Sequence, residues 1–171
     1  MSATTAAELM TTPVLTVAED DYPGDVAEGM ADRGFKSVVI IDDDCRPLGI
    51  VTSTDYVELT VGGIDPYDTT IGEYMTTDVV TVRPGEEVGA VAERMTENDV
   101  SRLPVVGDEE EVVGIVSTTD LAVHLVPDDG DAYGRQRRPV EPRLFLHRRR
   151  NPRFGCRLLE CRPRGSRRPT A

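Results

Sequence analysis

The chain has 171 residues, 39% of them hydrophobic, which suffices for the core of one ordinary domain or two small ones. Aromatic residues make up 5% and tryptophan is absent, so the core must rest on Val, Ile, Leu, Met and Ala. The net charge of -12 divides unevenly: residues 1–134 hold 29 acidic and 6 basic residues, whereas residues 135–171 hold 13 arginines and 2 glutamates. No stretch approaches the roughly 20 apolar residues of a membrane helix. The opening MSATTAAELMTTP lacks the basic start and apolar run of a secretory signal, so a cytoplasmic location is expected. Three cysteines, Cys45, Cys156 and Cys161, make no even framework and do not point to an oxidising compartment.

In chain order, Val14 to Val17 is a short β-branched run after Pro13 and reads as a strand. Asp25 to Arg33 sets Val26, Ala27 and Met30 at helical spacing before Gly34 ends the pattern. Ser37 to Ile41 is a strand of the buried type, DDDCRP at Asp42 to Pro47 is a turn, Leu48 to Thr52 is a second strand, and Ser53 to Leu59 is a helix. The same β-α-β-β-α order returns at Val79 to Val82, Glu87 to Asn98, Leu103 to Val106, Val112 to Ser117 and Thr118 to Leu125, with Pro84 and Gly85 at its first turn.

The recurrence is literal. Met10 matches Met75 at an offset of 65, and the same offset links Thr5 to Thr70, Glu8 to Glu73, Met30 to Met95 and Asp55 to Asp120, with about 17 of 48 aligned positions identical. One register held over that length marks a tandem duplication. A unit of about 50 residues buries too little surface to be stable alone, so two copies packed sheet to sheet would share a core. The expected fold class is α/β (α+β), with two β-α-β-β-α repeats in pseudo-twofold symmetry over residues 5–62 and 70–127, followed by an Arg/Pro-rich tail over 128–171.

Each repeat closes on one phrase, GIVTSTD at Gly49 to Asp55 and GIVSTTD at Gly114 to Asp120. Gly49 and Gly114 lack a Cβ and would let a ligand approach the backbone. Thr52 and Ser117 stand where a strand gives way to a helix, so each hydroxyl and the free N–H groups behind it suit a phosphate or other anion. Asp55 and Asp120 carry carboxylates suited to the vicinal diol of a ribose. A plain helix cap accounts for the same spacing without any ligand, because Ser or Thr followed three residues later by an acid is close to a capping box.

The MTT opening, the β-α-β-β-α unit, SRLPVV at Ser101 to Val106 and the closing GIVSTTD together resemble the cystathionine β-synthase (CBS) domain, and the tandem resembles a Bateman module. The resemblance spans roughly residues 5–125. It implies nucleotide sites between the repeats. One would combine Thr52, Thr54 and Asp55 with Thr81, Val100 and Ser101; its mate would combine Ser117, Thr119 and Asp120 with Thr16, Phe35 and Lys36. Arg102 or Lys36 would meet phosphate charge, although either is equally well read as a solvated surface residue. A body so poor in bases would compensate a triphosphate only through bound Mg²⁺ or potassium, which favours AMP or another adenosyl ligand such as S-adenosylmethionine over ATP. Tyr22-Pro23-Gly24 and Val39, where the second repeat has Pro104, imply clefts of different shape, which need not both be occupied.

An enzyme is not expected. His124 and His147 are the only histidines, and neither stands in a nucleophile–base pattern. CBS pairs also occur inserted in IMP dehydrogenase, whose barrel needs about 250 residues. His147, Cys156 and Cys161 lack a fourth ligand and standard metal spacing. The tail reads either as a disordered basic arm for nucleic acid or for the acidic body, or as out-of-frame translation of GC-rich coding sequence, and in both cases no stable fold is expected. The acidic body with its single lysine resembles proteins of salt-accumulating archaea. Two functions follow: a ligand-sensing regulatory module, forming a homodimer and acting on an unknown partner, or a structural dimerisation module with vestigial clefts. Neither needs a cofactor, a membrane or nucleic acid.

Overall fold

The computed structural model describes residues 4–125 and the backbone of residues 157–159. Helix α1 covers Ala6–Leu9. The first repeat continues as β1 (Val14–Val17), α2 (Pro23–Arg33), β2 (Ser37–Ile41), β3 (Pro47–Thr52) and α3 (Ser53–Val61). After a 3-10 turn at Ile71–Glu73 come α4 (Val88–Glu97), β4 (Arg102–Val106), β5 (Val112–Ser117) and α5 (Thr118–Leu125), and β6 covers Arg157–Leu159. The strands form one sheet in the order β3-β2-β1-β6 and a second of β4 and β5.

The two halves repeat to the level of single irregularities. Both hairpins slip register at the same place, between Ile40 and Ile41 and between Val105 and Val106. Left-handed residues recur at Gly34 and Asp99, just past α2 and α4, and at Cys45 and Glu110 in the hairpin turns. Glycine supplies this conformation without a Cβ penalty; Asp99 adopts it as a short polar residue. One equivalence fails. Val79 to Val82, expected as a strand, makes a single parallel bridge from Val82 to Val105, whereas β1 pairs with β2 on one side and β6 on the other. An isolated segment with one paired edge has less to hold it extended than a strand flanked twice.

Each repeat's core is completed by a piece that precedes the other repeat. Ala6 is fully buried with Val82, Val91, Met95, Leu103, Val105, Val116 and Leu121, and Leu9 and Met10 pack against that second-repeat cluster. Ile71 is fully buried with Leu15, Val17, Val26, Met30, Val38, Ile40 and Val51, and Met75 packs against that first-repeat cluster. The backbone follows the same exchange. The Ala6 and Ala7 N–H groups donate to the Glu86 and Pro84 carbonyls at 2.8 and 2.9 Å; 65 residues on, Ile71 and Gly72 donate to Asp21 and Glu19 at 2.8 and 3.0 Å. Thr11 exchanges hydrogen bonds with Ile115, and Thr76 with Ile50. A third cluster of Val14, Val39 and Val112, with Ile41 and Ile115 against it, joins the two sheets.

This arrangement corrects the reading of the two phrase glycines as ligand approaches. A methyl group on Gly49 would lie 2.6 Å from Met75 Cγ, and one on Gly114 would lie 2.9 Å from Met10 Cγ, with the sulfur closer in each case. The missing Cβ makes room for a methionine. Cys45, buried in the first hairpin turn, is disulfide-bonded, which the odd cysteine count did not indicate; its partner lies outside the described residues. Strand β6 also departs from the expectation that the tail has no fold, and the rest of that tail lies outside the described residues, as do His147, Cys156 and Cys161.

Gly114→Ala should cost about 1–3 kcal/mol, typical of an overpacked core. The Gly114→Ala/Met10→Ala double variant should fall short of the sum of the single effects, because shortening the methionine frees the space; thermal melts in concentrated KCl check this. Asp21, whose carbonyl receives the Ile71 N–H, has its carboxyl held above the usual carboxylate range, first by burial, against the Ala18 N–H bond, and further by Asp20 and Asp25. The folded state therefore holds this proton more tightly than the unfolded chain, so the contribution is full below the ordinary carboxylate pKa and is lost as pH rises through the raised value. Asp21→Asn should raise the melting temperature at pH 7 relative to the parent and leave a smaller gain at pH 3–4.

Candidate ligand-binding site

Both closing phrases end a strand and start a helix, and both form the reciprocal cap. Asp55 Oδ2 accepts from the Thr52 N–H at 2.6 Å and the Thr52 hydroxyl at 2.9 Å. Asp120 Oδ2 accepts from the Ser117 N–H at 2.8 Å and the Ser117 hydroxyl at 2.6 Å, and the Asp120 N–H approaches Ser117 Oγ at 3.4 Å. The capping reading of the spacing is therefore realised in both repeats. Each cap uses one carboxylate oxygen. The other, Oδ1, has no hydrogen-bond partner among the described residues, and Thr54 and Thr119 are exposed beside it.

Lys36, Ser101 and Arg102 stand at these two helix starts. The Lys36 carbonyl accepts from the Ser53 N–H, and the Ser101 carbonyl from the Thr118 N–H, both at 3.0 Å. In register, Ser37 faces Thr52 and Arg102 faces Ser117. Lys36 thus stands at the Thr52 to Asp55 end of repeat 1, and Ser101 and Arg102 at the Ser117 to Asp120 end of repeat 2, whereas the resemblance assigned Lys36 and Ser101 across the repeats. Cross-repeat proximity comes through β1. It carries Thr16, and its Val14 clusters with Val112 and Ile115 of β5, the strand that ends at Ser117. Phe35 packs against the first core and Val100 against the second, their N–H groups bonded to the Met30 and Met95 carbonyls at 2.9 and 3.0 Å. Val100, Ser101 and Thr118, with Met95, Thr96 and Asp99, line an open cavity of about 400 Å³.

Charge is sparse at these helix starts. Among the described residues the ion pairs are Arg83 with Glu110 and Arg94 with Glu86. Lys36 is exposed and Arg102 half-buried; Arg102 Nη1 lies 3.2 Å from Ser101 Oγ, and neither cation meets a carboxylate. Thr16 is 2% exposed and its hydroxyl has no partner among the described residues. Its equivalent Thr81 is half-buried, and its carbonyl accepts from Arg94 Nη1 at 2.8 Å. Arg94 was missed in the sequence because its counterpart is Gly29, so the repeat carries no trace of it.

A family profile described as CBS domain matches residues 6–62 and again 71–127. The chain belongs to the CBS-domain family. Its fold is shared with the CBS domain pair of protein MJ0100 in complex with 5′-methylthioadenosine and S-adenosyl-L-methionine: 28% identity, TM-score 0.67, covering 72% of this chain and 96% of that one. The cytosolic domain of the Mg²⁺ channel MgtE in complex with ATP is similar at 28% identity and TM-score 0.61, over 71% of this chain and 48% of that one. A homoserine O-acetyltransferase of Methanosalsum zhilinae is 32% identical over 117 residues, which are 68% of this chain and 23% of that protein. The chain thus spans about a quarter of that relative. CBS pairs of this fold therefore hold adenosyl compounds in some members. Among the described residues no helix is long and apolar enough to cross a membrane.

Thr52→Ala removes the hydroxyl that pairs with Asp55 and should cost about 1 kcal/mol in the melt, as loss of an N-cap does. Thr54→Ala, exposed and outside the cap, should leave the unliganded melt within about 0.5 kcal/mol of the parent.

Proposed function

We propose that this chain is a regulatory module that senses a cytoplasmic adenosyl ligand, AMP or a related compound such as S-adenosylmethionine, and passes the signal to a partner protein. The observation that carries it is the free Oδ1 of Asp55 and of Asp120, fixed at a helix start by the cap on Oδ2. A carboxylate already oriented in this way can accept from both hydroxyls of a ribose without losing its structural role. The helix N-terminus beside it favours an anion, and Arg102 and Lys36 stand nearby with no carboxylate partner among the described residues. With 6 basic residues against 29 acidic ones in residues 1–134, a ligand of low negative charge fits better than a triphosphate. The module itself is not catalytic in this reading: the ligand acts by binding one arrangement of the pair more tightly than another.

A structural dimerisation module is the second reading, favoured by the exposed apolar side chains on the two closing helices. Val57 and Val61 on α3 are 60% and 84% exposed, and Val123 and Leu125 on α5 are 69% and 77% exposed. A homodimer that covers this face is compatible with either reading, with or without a ligand.

Thermal melts of the full chain in concentrated KCl with AMP, ADP, ATP, S-adenosylmethionine and NAD separate the two. A ligand at 100 times its dissociation constant should add about 2.7 kcal/mol per site. The sensor predicts a shift for one adenosyl compound that disappears in the Asp55→Ala/Asp120→Ala variant, measured against that variant's own baseline. No shift for any of the five, with a cooperative melt, would leave the dimerisation module.

A further inference from the structure

The two helix starts share a cap and differ in the residue that faces it. Directly opposed residues of an antiparallel pair lie on one face, with Cβ atoms about 5 Å apart. Thr52 is opposed by Ser37, and Ser117 by Arg102. Ile115, two residues before Ser117, packs against the cluster of Val14, Val39 and Val112, and Val39 stands two residues after Ser37. Both hairpins keep register over these positions, so the alternation of side chains turns both pairs toward the space between the sheets. Ser37 is a neutral hydroxyl, 9% exposed; Arg102 is a half-buried guanidinium.

No carboxylate occupies that guanidinium among the described residues, whereas Arg83 and Arg94 are held by Glu110 and Glu86. Arg102 Nη1 donates to Ser101 Oγ at 3.2 Å, and Ser101 lines the open cavity of about 400 Å³ together with Thr118, the first residue of α5. A phosphate at the amino end of α5 would therefore meet backbone N–H groups and a planar fork that matches two of its oxygens. At the amino end of α3 the same phosphate would meet the Ser37 hydroxyl. Lys36 does not restore the balance: it precedes β2 and is exposed, and salt screens an exposed charge more than a half-buried one.

We propose that Arg102 sorts the ligands of the two helix starts: the Ser117/Asp120 start takes an adenosyl compound with a 5′-phosphate, and the Thr52/Asp55 start takes one whose 5′ substituent carries no negative charge. This deepens the adenosyl reading above and rests on it. The pair then reports on two adenosyl compounds of different charge, each at its own repeat.

Calorimetric titrations of the full chain in concentrated KCl, with AMP and with 5′-methylthioadenosine in turn, test the sorting. The variants are Arg102→Gln, Arg102→Lys, Lys36→Gln, Asp55→Asn and Asp120→Asn; asparagine keeps one oxygen for the cap and removes the second acceptor. AMP should bind the parent, be lost in Asp120→Asn, weaken at least about tenfold in Arg102→Gln as a charge-assisted hydrogen bond disappears, and recover in part in Arg102→Lys. Lys36→Gln should weaken AMP by a smaller factor than Arg102→Gln. 5′-Methylthioadenosine should be lost in Asp55→Asn and stay within about twofold of the parent in Arg102→Gln. Equal weakening of both ligands in Arg102→Gln, or no weakening of AMP, overturns the sorting and spares the adenosyl reading. Loss of AMP in Asp55→Asn in place of Asp120→Asn does the same, as does a parent that binds AMP and not 5′-methylthioadenosine. A parent that melts cooperatively and binds neither overturns the sorting together with the adenosyl reading.

Discussion

A methionine seated against a glycine holds this molecule together at two equivalent places. Met10 lies on Gly114 and Met75 on Gly49, and in each case the methionine belongs to the segment leading into the opposite repeat. The neighbouring threonines, Thr11 and Thr76, close two backbone hydrogen bonds onto Ile115 and Ile50. Everything else is arranged around these exchanges: the two apolar clusters are each incomplete without Ala6 or Ile71, and the sheets meet over Val14, Val39 and Val112 because the leading segments bring them there. A flexible thioether tolerates the irregular gap such a crossing leaves, and a glycine is the residue that allows the strand to come so near.

The candidate sites inherit their geometry from the same phrases. Gly49 and Gly114 serve the packing, while the Ser/Thr and Asp residues three to six positions later serve the helix start, and in the proposed reading the ligand chemistry falls to the second carboxylate oxygen and to Lys36 and Arg102. Structure and function therefore draw on different atoms of one residue. Such sharing lets a short sequence phrase be both a fold determinant and a binding element, and it accounts for the presence of the phrase in both halves even if the two clefts bind unequally.

Much of this was legible in the sequence because duplication doubles the signal. The period of 65 aligned a clear helix, Asp25 to Arg33, with its partner, and a clear hairpin, Leu103 to Ser117, with its own, so that each repeat corrected the other. The capping of Asp55 and Asp120 was also readable, being local in sequence. What escaped was non-local or asymmetric. Nothing in GIVTSTD says that Met75, 26 residues beyond Gly49, fills the space above that glycine. Arg94 has no echo at Gly29, and the β6 pairing joins residues that share no pattern. Val79 to Val82 was misjudged for the converse reason: the repeat predicts a strand where the partner strand on one edge is missing.

The exchange of leading segments also has a direction in time. Repeat 1 is closed by residues 71–76, which leave the ribosome soon after α3, so its core can be complete while repeat 2 is still being made. Repeat 2 needs Ala6 to Thr11, made before the rest of the pair and held back until β5 exists to receive Thr11 at Ile115. Contacts of such wide sequence separation are slow to form, because the loop between them must close before they reward it. The segment Ala6 to Thr11 is thus the last part of the pair to find its place, and a nascent chain carries it exposed until the second half is finished.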